Sequence, residues 1–150
     1  EEIILHRDVN LGIAAATPRG LVVPNIKKAN QLNLLELATA LNEMVAIAKQ
    51  GKVQPGHLAL GTFTITNVGV FGIDAGTPII NGDESAILAM GAIKRRPWVV
   101  GSGDDEQIVP RWVTTLAVSF DHQLIDGEQG SLFLDDVSTV LSEPELALLF

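Results

Sequence analysis

Residues 118–127, Val-Ser-Phe-Asp-His-Gln-Leu-Ile-Asp-Gly, combine residue types that suit acid–base chemistry. His122 follows an apolar run typical of a strand, so the sheet would hold its backbone while the ring faces a cavity. An imidazole titrates near neutral pH and can accept a proton from a substrate. Asp126 could turn the chain, hold a cation or orient the ring, and Gly127 permits backbone angles that other residues resist. The same residues also suit a strand, a turn and a helix N-cap with no catalytic role.

Other catalytic chemistries match the sequence less well. The three histidines, His6, His57 and His122, lack zinc-site spacing, so no metal site is predicted, and no Gly-x-Ser-x-Gly motif occurs. The glycine-rich stretch 69–76 lacks phosphate-loop spacing, so its glycines more simply allow two backbones to approach closely. The carboxylates of 102–106 are expected at a solvated hairpin tip, where acid–base work is disfavoured. A Ser-His-Asp triad stays open, although no feature marks a nucleophilic serine.

Composition favours one compact domain, because 150 residues of which 47% are hydrophobic can bury a core. A net charge of −8 disfavours binding to nucleic acid or an anionic membrane, although the cations at 27–28 and 94–96 could meet an anion locally. The chain has no cysteine, which excludes disulfides and thiolate chemistry. No apolar run approaches the roughly 20 residues that span a bilayer. The opening Glu1-Glu2, without Met or leader, indicates a piece of a longer protein.

Hydrophobic periodicity predicts the strands that position these residues. Turn chemistry at 17–20 predicts a hairpin between a strand at 9–15 and one at 21–23. The acidic tip at 102–106 is expected to join a strand at 98–101 to one at 108–115. Thr62, Thr64 and Thr66 share one strand face, and the β propensity of threonine on a half-exposed face explains Thr62 and Thr64. The predicted strands are 3–5, 9–15, 21–23, 62–68, 79–80, 86–92, 98–101 and 108–115, and residues 116–120 are expected to continue the last of these to His122.

Two helices are predicted. The first runs from Asn33 to Gln50, with Asn33 and Glu36 as a capping box and Gly51 at its end. Its apolar stripe is expected to pack into the core and comprises Leu34, Leu37, Ala38, Leu41, Val45 and Ala48. The last helix covers 128–141, and the apolar tail 146–150 is expected to enter a groove or another subunit.

Three motifs carry a family resemblance. Asp121-His122-x-x-x-Asp126-Gly127 resembles the active-site signature of the dihydrolipoamide acyltransferases, which are core components of 2-oxo acid dehydrogenase complexes and relatives of chloramphenicol acetyltransferase. Residues 61–69, Gly-Thr-Phe-Thr-Ile-Thr-Asn-Val-Gly, and 16–24, Ala-Thr-Pro-Arg-Gly-Leu-Val-Val-Pro, resemble two further motifs of that family. All three occur in the family's order, and the similarity runs from about residue 4 to 150.

The resemblance implies a fold and a mechanism. The fold would be an α/β (α+β) two-layer sandwich, a mixed sheet with helices on one face. An acyl group would pass directly from a lipoyl-lysine thioester to coenzyme A, with His122 as general base for the thiol. Thr66 stands where the family usually carries a serine that stabilises the oxyanion. Asp126 would fix the turn and the setting of the histidine, and Gly127 would be structural.

Two positions depart from the family pattern. Gln123 replaces an arginine that commonly follows the histidine, which removes a charge and any ion pair that depends on it. Thr66 keeps the hydroxyl of the usual serine but adds a methyl group that restricts its rotamers. Activity is expected to survive both changes.

The resemblance also implies context. Residues 1–150 would be the C-terminal part of a single catalytic domain, lacking its N-terminal part with some coenzyme A contacts and the lipoyl and subunit-binding domains. Family members form homotrimers with the active site between subunits, and trimers build 24-mer or 60-mer cores. The implied partners are the decarboxylase component, dihydrolipoamide dehydrogenase and a lipoyl domain carrying the lipoyl group. The expected location is the bacterial cytoplasm, or the mitochondrial matrix of a eukaryote.

The acyl group is predicted from likeness alone. Residues 69–81, Trp98 and residues 119–122 are most similar to actinobacterial branched-chain acyltransferases, with acetyl transfer in a pyruvate complex second and succinyl transfer third. A non-catalytic core paralogue is the alternative from another class, disfavoured because His122 is present. A chloramphenicol-type or condensation enzyme is disfavoured because Asp121 stands where those enzymes carry histidine.

Overall fold

The fold is built on a mixed sheet whose strands come from both halves of the chain. The computed structural model describes residues 3–18 and 20–149, without the side chains of 148 and 149. The strands are β1 (Leu11–Ile13), β2 (Ala15–Thr17), β3 (Gly20–Val22), β4 (Asn25–Ile26), β5 (Phe63–Asn67), β6 (Ala86–Met90), β7 (Lys94–Val100), β8 (Gln107–Val113) and β9 (Leu116–Phe120). The helices are α1 (Leu34–Lys49), α2 (Pro55–Leu58) and α3 (Gly127–Ser142), with short 3₁₀ turns between elements.

Five strands form the main sheet in the order β4-β1-β5-β6-β9. The three inner strands are parallel, and β4 and β9 run antiparallel at the edges. Strand β6, Ala-Ile-Leu-Ala-Met, is buried at its first four residues, which explains its continuous apolar sequence. The mixed sheet with helices predicted from the family resemblance is therefore confirmed.

Helix α3 covers one face of this sheet. Phe63, Ala86 and Phe120 lie side by side across β5, β6 and β9. The ring of Phe133 on α3 meets Phe63 edge-on at a centroid distance of 5.5 Å. Gly130 lies so close to Phe120 that an added Cβ would be 2.5 Å from the ring, so only glycine lets α3 approach. This packing brings the start of α3 beside the end of β9.

Helix α1 begins and ends as predicted, but its apolar stripe is not a core face. Asn33 and Glu36 form the capping box, and Gly51, with φ of 67°, ends the helix. Ala48 is buried, whereas Leu34 remains 70% exposed. The expectation that the stripe packs into the core is wrong for this single chain, because α1 packs mainly against the short strands β2 and β4, and Leu41 is exposed as well as Leu34.

Several predicted strands are shorter or absent. Residues 9–15 break at Ala14, where β1 joins the sheet and β2 turns away to form the expected hairpin with β3. Residues 3–5 and 79–80 form no strand in the described structure, and their side chains are exposed except that of Ile80, which is partly buried. The second lies in a loop held by the Ser119 hydroxyl, which donates to the Pro78 carbonyl at 2.6 Å.

The threonine face is half-exposed at Thr62 and Thr66, as predicted, but not at Thr64. Thr64 is fully buried, and its hydroxyl donates to the carboxylate of Glu84 at 2.5 Å. Glu84, itself buried, also accepts from the Asn81 amide at 2.7 Å. Thr64 is therefore explained by a buried polar network rather than by β propensity.

Strands β7 and β8 form a separate two-stranded ribbon. Trp98 is 53% exposed and Trp112 69% exposed on this ribbon. Its acidic tip, Gly103–Asp105, is a 3₁₀ turn with exposed side chains, as expected. Asp74 bridges the ribbon to the glycine-rich loop through Lys94 and Arg96, each at 2.6 Å.

The apolar tail forms a 3₁₀ helix, Pro144–Leu149, that contacts α3. Leu146 and Ala147 are partly buried. The predicted burial of Phe150 lies outside the described residues. Across residues 3–18 and 20–149 no helix combines the length and the apolar character needed to cross a membrane.

Candidate active site

The signature histidine lies in a tight turn between β9 and α3. The Asp121 amide extends the sheet by one bond, donating to the Ser85 carbonyl at 2.9 Å. The Asp121 carbonyl accepts from the amides of Leu124 and Ile125, each at 3.0 Å. Its carboxylate oxygen Oδ1 accepts from the Gln123 amide at 2.9 Å. These bonds close the backbone around the one residue between Asp121 and Gln123, which is His122.

The His122 side chain is exposed at the end of the sheet. Its ring lies 5.7 Å from that of Phe120, with the planes tilted by 58°. Within the described residues, neither ring nitrogen makes a hydrogen bond or an ion pair. The imidazole is therefore available to a substrate from outside the chain.

Asp126 is the N-cap of α3. Its carboxylate accepts from the Gln129 amide at 2.9 Å, and its own amide donates to the Gln129 side chain at 3.1 Å. No bond joins it to His122 in the part of the chain that the structure describes, so any influence on the ring passes through the backbone. Gly127 is the first residue of α3 and does not have a positive φ, so the backbone freedom that glycine permits is not used there.

The structure does not bring Thr66 to His122 within one chain. Thr66 pairs with Ala89, and Ala89 pairs with Ala117, so Thr66 is level with a residue three positions before the end of β9. Three residues correspond to about 10 Å along a strand, and two strand spacings add about 10 Å across the sheet. His122 lies beyond that end, so the two side chains cannot meet at one reacting carbon.

The clustered cations already have partners. Lys27 donates to the Ala59 carbonyl, and Lys28 lies 3.6 Å from Asp8. The other cluster binds the half-exposed Asp74 through Lys94 and Arg96, and these bonds lower the pKa of the Asp74 carboxyl.

The third residue of that cluster, Arg95, donates to the Pro110 carbonyl at 3.4 Å. All five clustered cations are thus engaged inside the chain, and the suggestion that they form a local anion site finds no support in their contacts.

Two cavities flank the site elements. An apolar cavity of about 360 Å³ lies under the turn, between the sheet and α3, lined by Phe120, Leu124, Ile125 and Phe133 among others. A larger groove of about 1240 Å³ separates the ribbon from α3. Neither is lined by His122. In the described part of the chain no group of three His, Asp or Glu side chains is placed to hold a metal ion.

Sequence reasoning missed two residues that shape the turn, Asp121 and Ser85. Asp121 belongs to the motif, but no role was predicted for it from the sequence. An aspartate side chain often closes a turn by accepting a hydrogen bond from the backbone amide two residues further on. Ser85 acts through its carbonyl, which every residue type carries. No sequence signal could have identified it.

Comparison with known proteins identifies the group to which the chain belongs. The family model for 2-oxoacid dehydrogenases acyltransferase (catalytic domain) matches residues 1–149. The dihydrolipoyllysine-residue acetyltransferase component of the pyruvate dehydrogenase complex of Acholeplasma laidlawii is 42% identical over 99% of this chain and 27% of its own length. The probable mitochondrial succinyltransferase component of the 2-oxoglutarate dehydrogenase complex of Schizosaccharomyces pombe is 41% identical over 99% of this chain and 32% of its own.

A solved structure, the cubic core of the pyruvate dehydrogenase multienzyme complex, matches with a TM-score of 0.83 and 31% identity, over 95% of this chain and 57% of that one. The chain thus spans about a third of the length of the curated relatives it matches. With a family match across 149 of 150 residues, this chain belongs to the acyltransferases of the 2-oxoacid dehydrogenases, within their catalytic domain.

Proposed function

We propose that the protein carrying this chain transfers an acyl group from a dihydrolipoyl thioester to coenzyme A. The observation that carries the proposal is the turn at the end of β9, which presents an exposed His122 with no partner among the described residues. Such a ring is free to take a proton from a thiol supplied by a second molecule. Residues 1–150 would be the C-terminal part of the catalytic domain that does this.

In the proposed reaction a nitrogen of the His122 ring accepts the proton of the coenzyme A thiol. The thiolate forms a bond to the thioester carbonyl carbon, and the carbonyl oxygen becomes an oxyanion. The bond to the dihydrolipoyl sulfur then breaks, and the imidazolium returns its proton to that sulfur. The Thr66 hydroxyl donates to the oxyanion, a contribution worth about 3 kcal/mol for one such donor in other enzymes.

A second copy of the chain would complete the site. Because the sheet register separates Thr66 from His122, the threonine that meets one histidine would belong to a neighbouring subunit. The exposed ribbon β7–β8 and the exposed apolar residues of α1 are surfaces that such a neighbour could cover. A homotrimer, assembled further into a 24-mer or 60-mer core, fits this requirement, and a relative of known structure is described as a cubic core.

The proposed partners follow from the reaction. A lipoyl domain would deliver the acyl group that a decarboxylase component has loaded, and dihydrolipoamide dehydrogenase would reoxidise the product. The proposed location is the bacterial cytoplasm, or the mitochondrial matrix of a eukaryote, where such complexes operate.

The identity of the transferred acyl group is the most specific part of the proposal. The likeness of residues 69–81 to branched-chain enzymes favours a branched acyl chain, while the relatives compared above are named for acetyl and succinyl transfer. We rank a branched-chain donor first, acetyl second and succinyl third.

The experiment supplies isobutyryl-, acetyl- and succinyl-dihydrolipoamide in turn to the complete protein with coenzyme A. The acyl-coenzyme A formed is separated and quantified by chromatography. We expect transfer with isobutyryl as the best donor, and His122→Ala should reduce the rate by about 10² to 10⁴, the usual contribution of a general base.

His6→Ala provides the matched control, because His6 is also an exposed histidine but lies on the segment before β1. It should retain the wild-type rate. Full activity in His122→Ala would remove the assigned base. Failure of the complete wild-type protein with every donor would instead favour a non-catalytic core component.

A further inference from the structure

The position of the His122 ring depends on the backbone on either side of it. The imidazole makes no hydrogen bond of its own within the described residues, and it lies exposed beyond the last strand residue, Phe120. A ring in this situation is located by its Cα position and by the rotamers that the turn permits. Whatever holds the turn therefore determines where the general base is presented.

Asp121 holds the turn with four hydrogen bonds. Its amide donates to the sheet, its carbonyl accepts twice, and its carboxylate accepts from the Gln123 amide. The carboxylate bond is the only one of the four that depends on the side chain. It spans His122 directly, since it joins the residue before the histidine to the residue after it.

The sheet end that anchors Asp121 is itself tied across the neighbouring strands. Ser85, whose carbonyl receives the Asp121 amide, donates through its amide and its hydroxyl to the Thr62 carbonyl at 3.3 and 3.1 Å. Thr62 in turn donates through its amide to the Asn10 carbonyl at 3.0 Å. A row of bonds thus runs from the start of β1 to the turn, so Asp121 is fixed with respect to the whole sheet.

We infer that Asp121 is a positioning residue for the reaction, and that its carboxylate holds the His122 imidazole at the place where the thiol must lose its proton. The inference rests on the proposed acyl transfer for its chemical meaning. It gives a different task to each aspartate of the motif, since Asp126 caps α3 and Asp121 shapes the turn.

Side-chain chemistry makes the inference specific. An aspartate or an asparagine can close this kind of turn, because each has a side-chain oxygen that reaches the amide two residues on. Alanine has no acceptor, so the Gln123 amide would turn to water and the backbone around His122 would sample other angles. A displacement of 1 Å at a catalytic group costs about 10²-fold in rate.

The experiment compares Asp121→Ala and Asp121→Asn in the complete, assembled protein. We expect Asp121→Ala to lower kcat by on the order of 10²-fold, with the KM for coenzyme A changed by less than about twofold. Asp121→Asn should restore kcat to within about threefold of wild type, because its amide oxygen closes the same turn. High-resolution structures of both variants should show the imidazole displaced in the first and in place in the second.

Two controls separate positioning from general damage. Asp104→Ala removes an exposed carboxylate from the ribbon tip, and Ser131→Ala removes a hydrogen bond from a side chain to the backbone, from Ser131 to the Gly127 carbonyl at 2.7 Å. Both should keep the wild-type kcat.

The inference is overturned if Asp121→Ala keeps the imidazole in place, or if Asp121→Asn is as slow as Asp121→Ala. A wild-type protein with no transfer activity would reject the proposed function instead. In that event the position of the ring in the two variant structures still decides the role of Asp121.

Discussion

The buried pair of Thr64 and Glu84 shows what a single hydroxyl can contribute. Thr64 donates to a carboxylate that is itself buried and that has one other side-chain donor, Asn81. A buried carboxylate depends on such donors because it has lost its water. Glu84 lies one residue before Ser85, so the pair also supports the sheet end that anchors the turn around His122.

We predict that Thr64→Val lowers the free energy of unfolding by about 1–3 kcal/mol, the cost of leaving a buried acceptor without its partner. Valine matches threonine in shape, so packing is nearly unchanged. Thr39→Val is the control, since the Thr39 hydroxyl also donates a hydrogen bond, to the Leu35 carbonyl, but on the exposed face of α1. Thermal and denaturant unfolding of the two variants measure the difference, and equal stabilities would contradict the role given to Thr64.

Features set by neighbouring residues in the sequence were predicted better than the surroundings of side chains in the folded chain. His122, Thr66 and Asp126 were predicted as site residues from motifs that are each local in sequence, and the structure places Asp126 at a helix start. The environment of Thr64 was missed because Glu84, its partner, lies 20 residues further on, in the loop before β6. Because side chains alternate along a strand, the sequence shows which residues share a face, but it does not show what packs against that face.

At the scale of elements, Asp74 links the ribbon β7–β8 to the glycine-rich loop. Asp74, on the glycine-rich loop, meets Lys94 and Arg96 on β7. The two hydrogen-bonded cations lower the pKa of the Asp74 carboxyl. The folded protein therefore holds the Asp74 proton less tightly than the unfolded chain does.

This difference has a definite sign in a pH titration of stability. Because the folded pKa of Asp74 is depressed, its stabilising contribution is complete above the ordinary pKa of an aspartate, and it is lost as the pH falls through the lowered folded pKa. We predict that Asp74→Asn has a lower Tm than wild type at neutral pH, and that the two proteins converge in strong acid. Asp104→Asn, on the ribbon tip, should match wild type throughout. A constant gap between wild type and Asp74→Asn at every pH would contradict the ion-pair explanation.

Elements with local end signals were predicted closely. Helix α1 has a capping box at one end and a left-handed glycine at the other, and both signals lie within three residues of the helix. The short strands were harder, because 3–5 and 79–80 have strand-like composition but no neighbouring strand in the described chain. Strand formation needs a partner, and partners are chosen by tertiary structure.

At the scale of the whole molecule, the main consequence is that one chain holds two separated halves of the proposed site. The register places Thr66 two strands away from the end of β9 where His122 follows, so the two residues lie apart in one chain. In a symmetric ring of subunits each interface would then join the threonine of one copy to the histidine of the next.

This arrangement predicts complementation between two inactive variants. Thr66→Ala and His122→Ala are each expected to be impaired when assembled alone. When the two are co-expressed in equal amounts, about a quarter of the interfaces in a randomly mixed ring would join an intact threonine to an intact histidine. Transfer by the mixed assembly should approach that fraction of the wild-type rate. If the mixture is no faster than the better variant alone, the site does not lie between copies.

The separation of Thr66 from His122 also bears on inheritance. In the proposed ring, a copy that carries one of the two substitutions would inactivate one interface, whereas a copy that carries both would inactivate the interfaces on its two sides. In a cell with one normal and one altered gene, the doubly altered allele would therefore silence more active sites than the number of chains it encodes. The strand register separates Thr66 from His122 within one chain, so it would also determine how strongly an altered allele dominates the normal one.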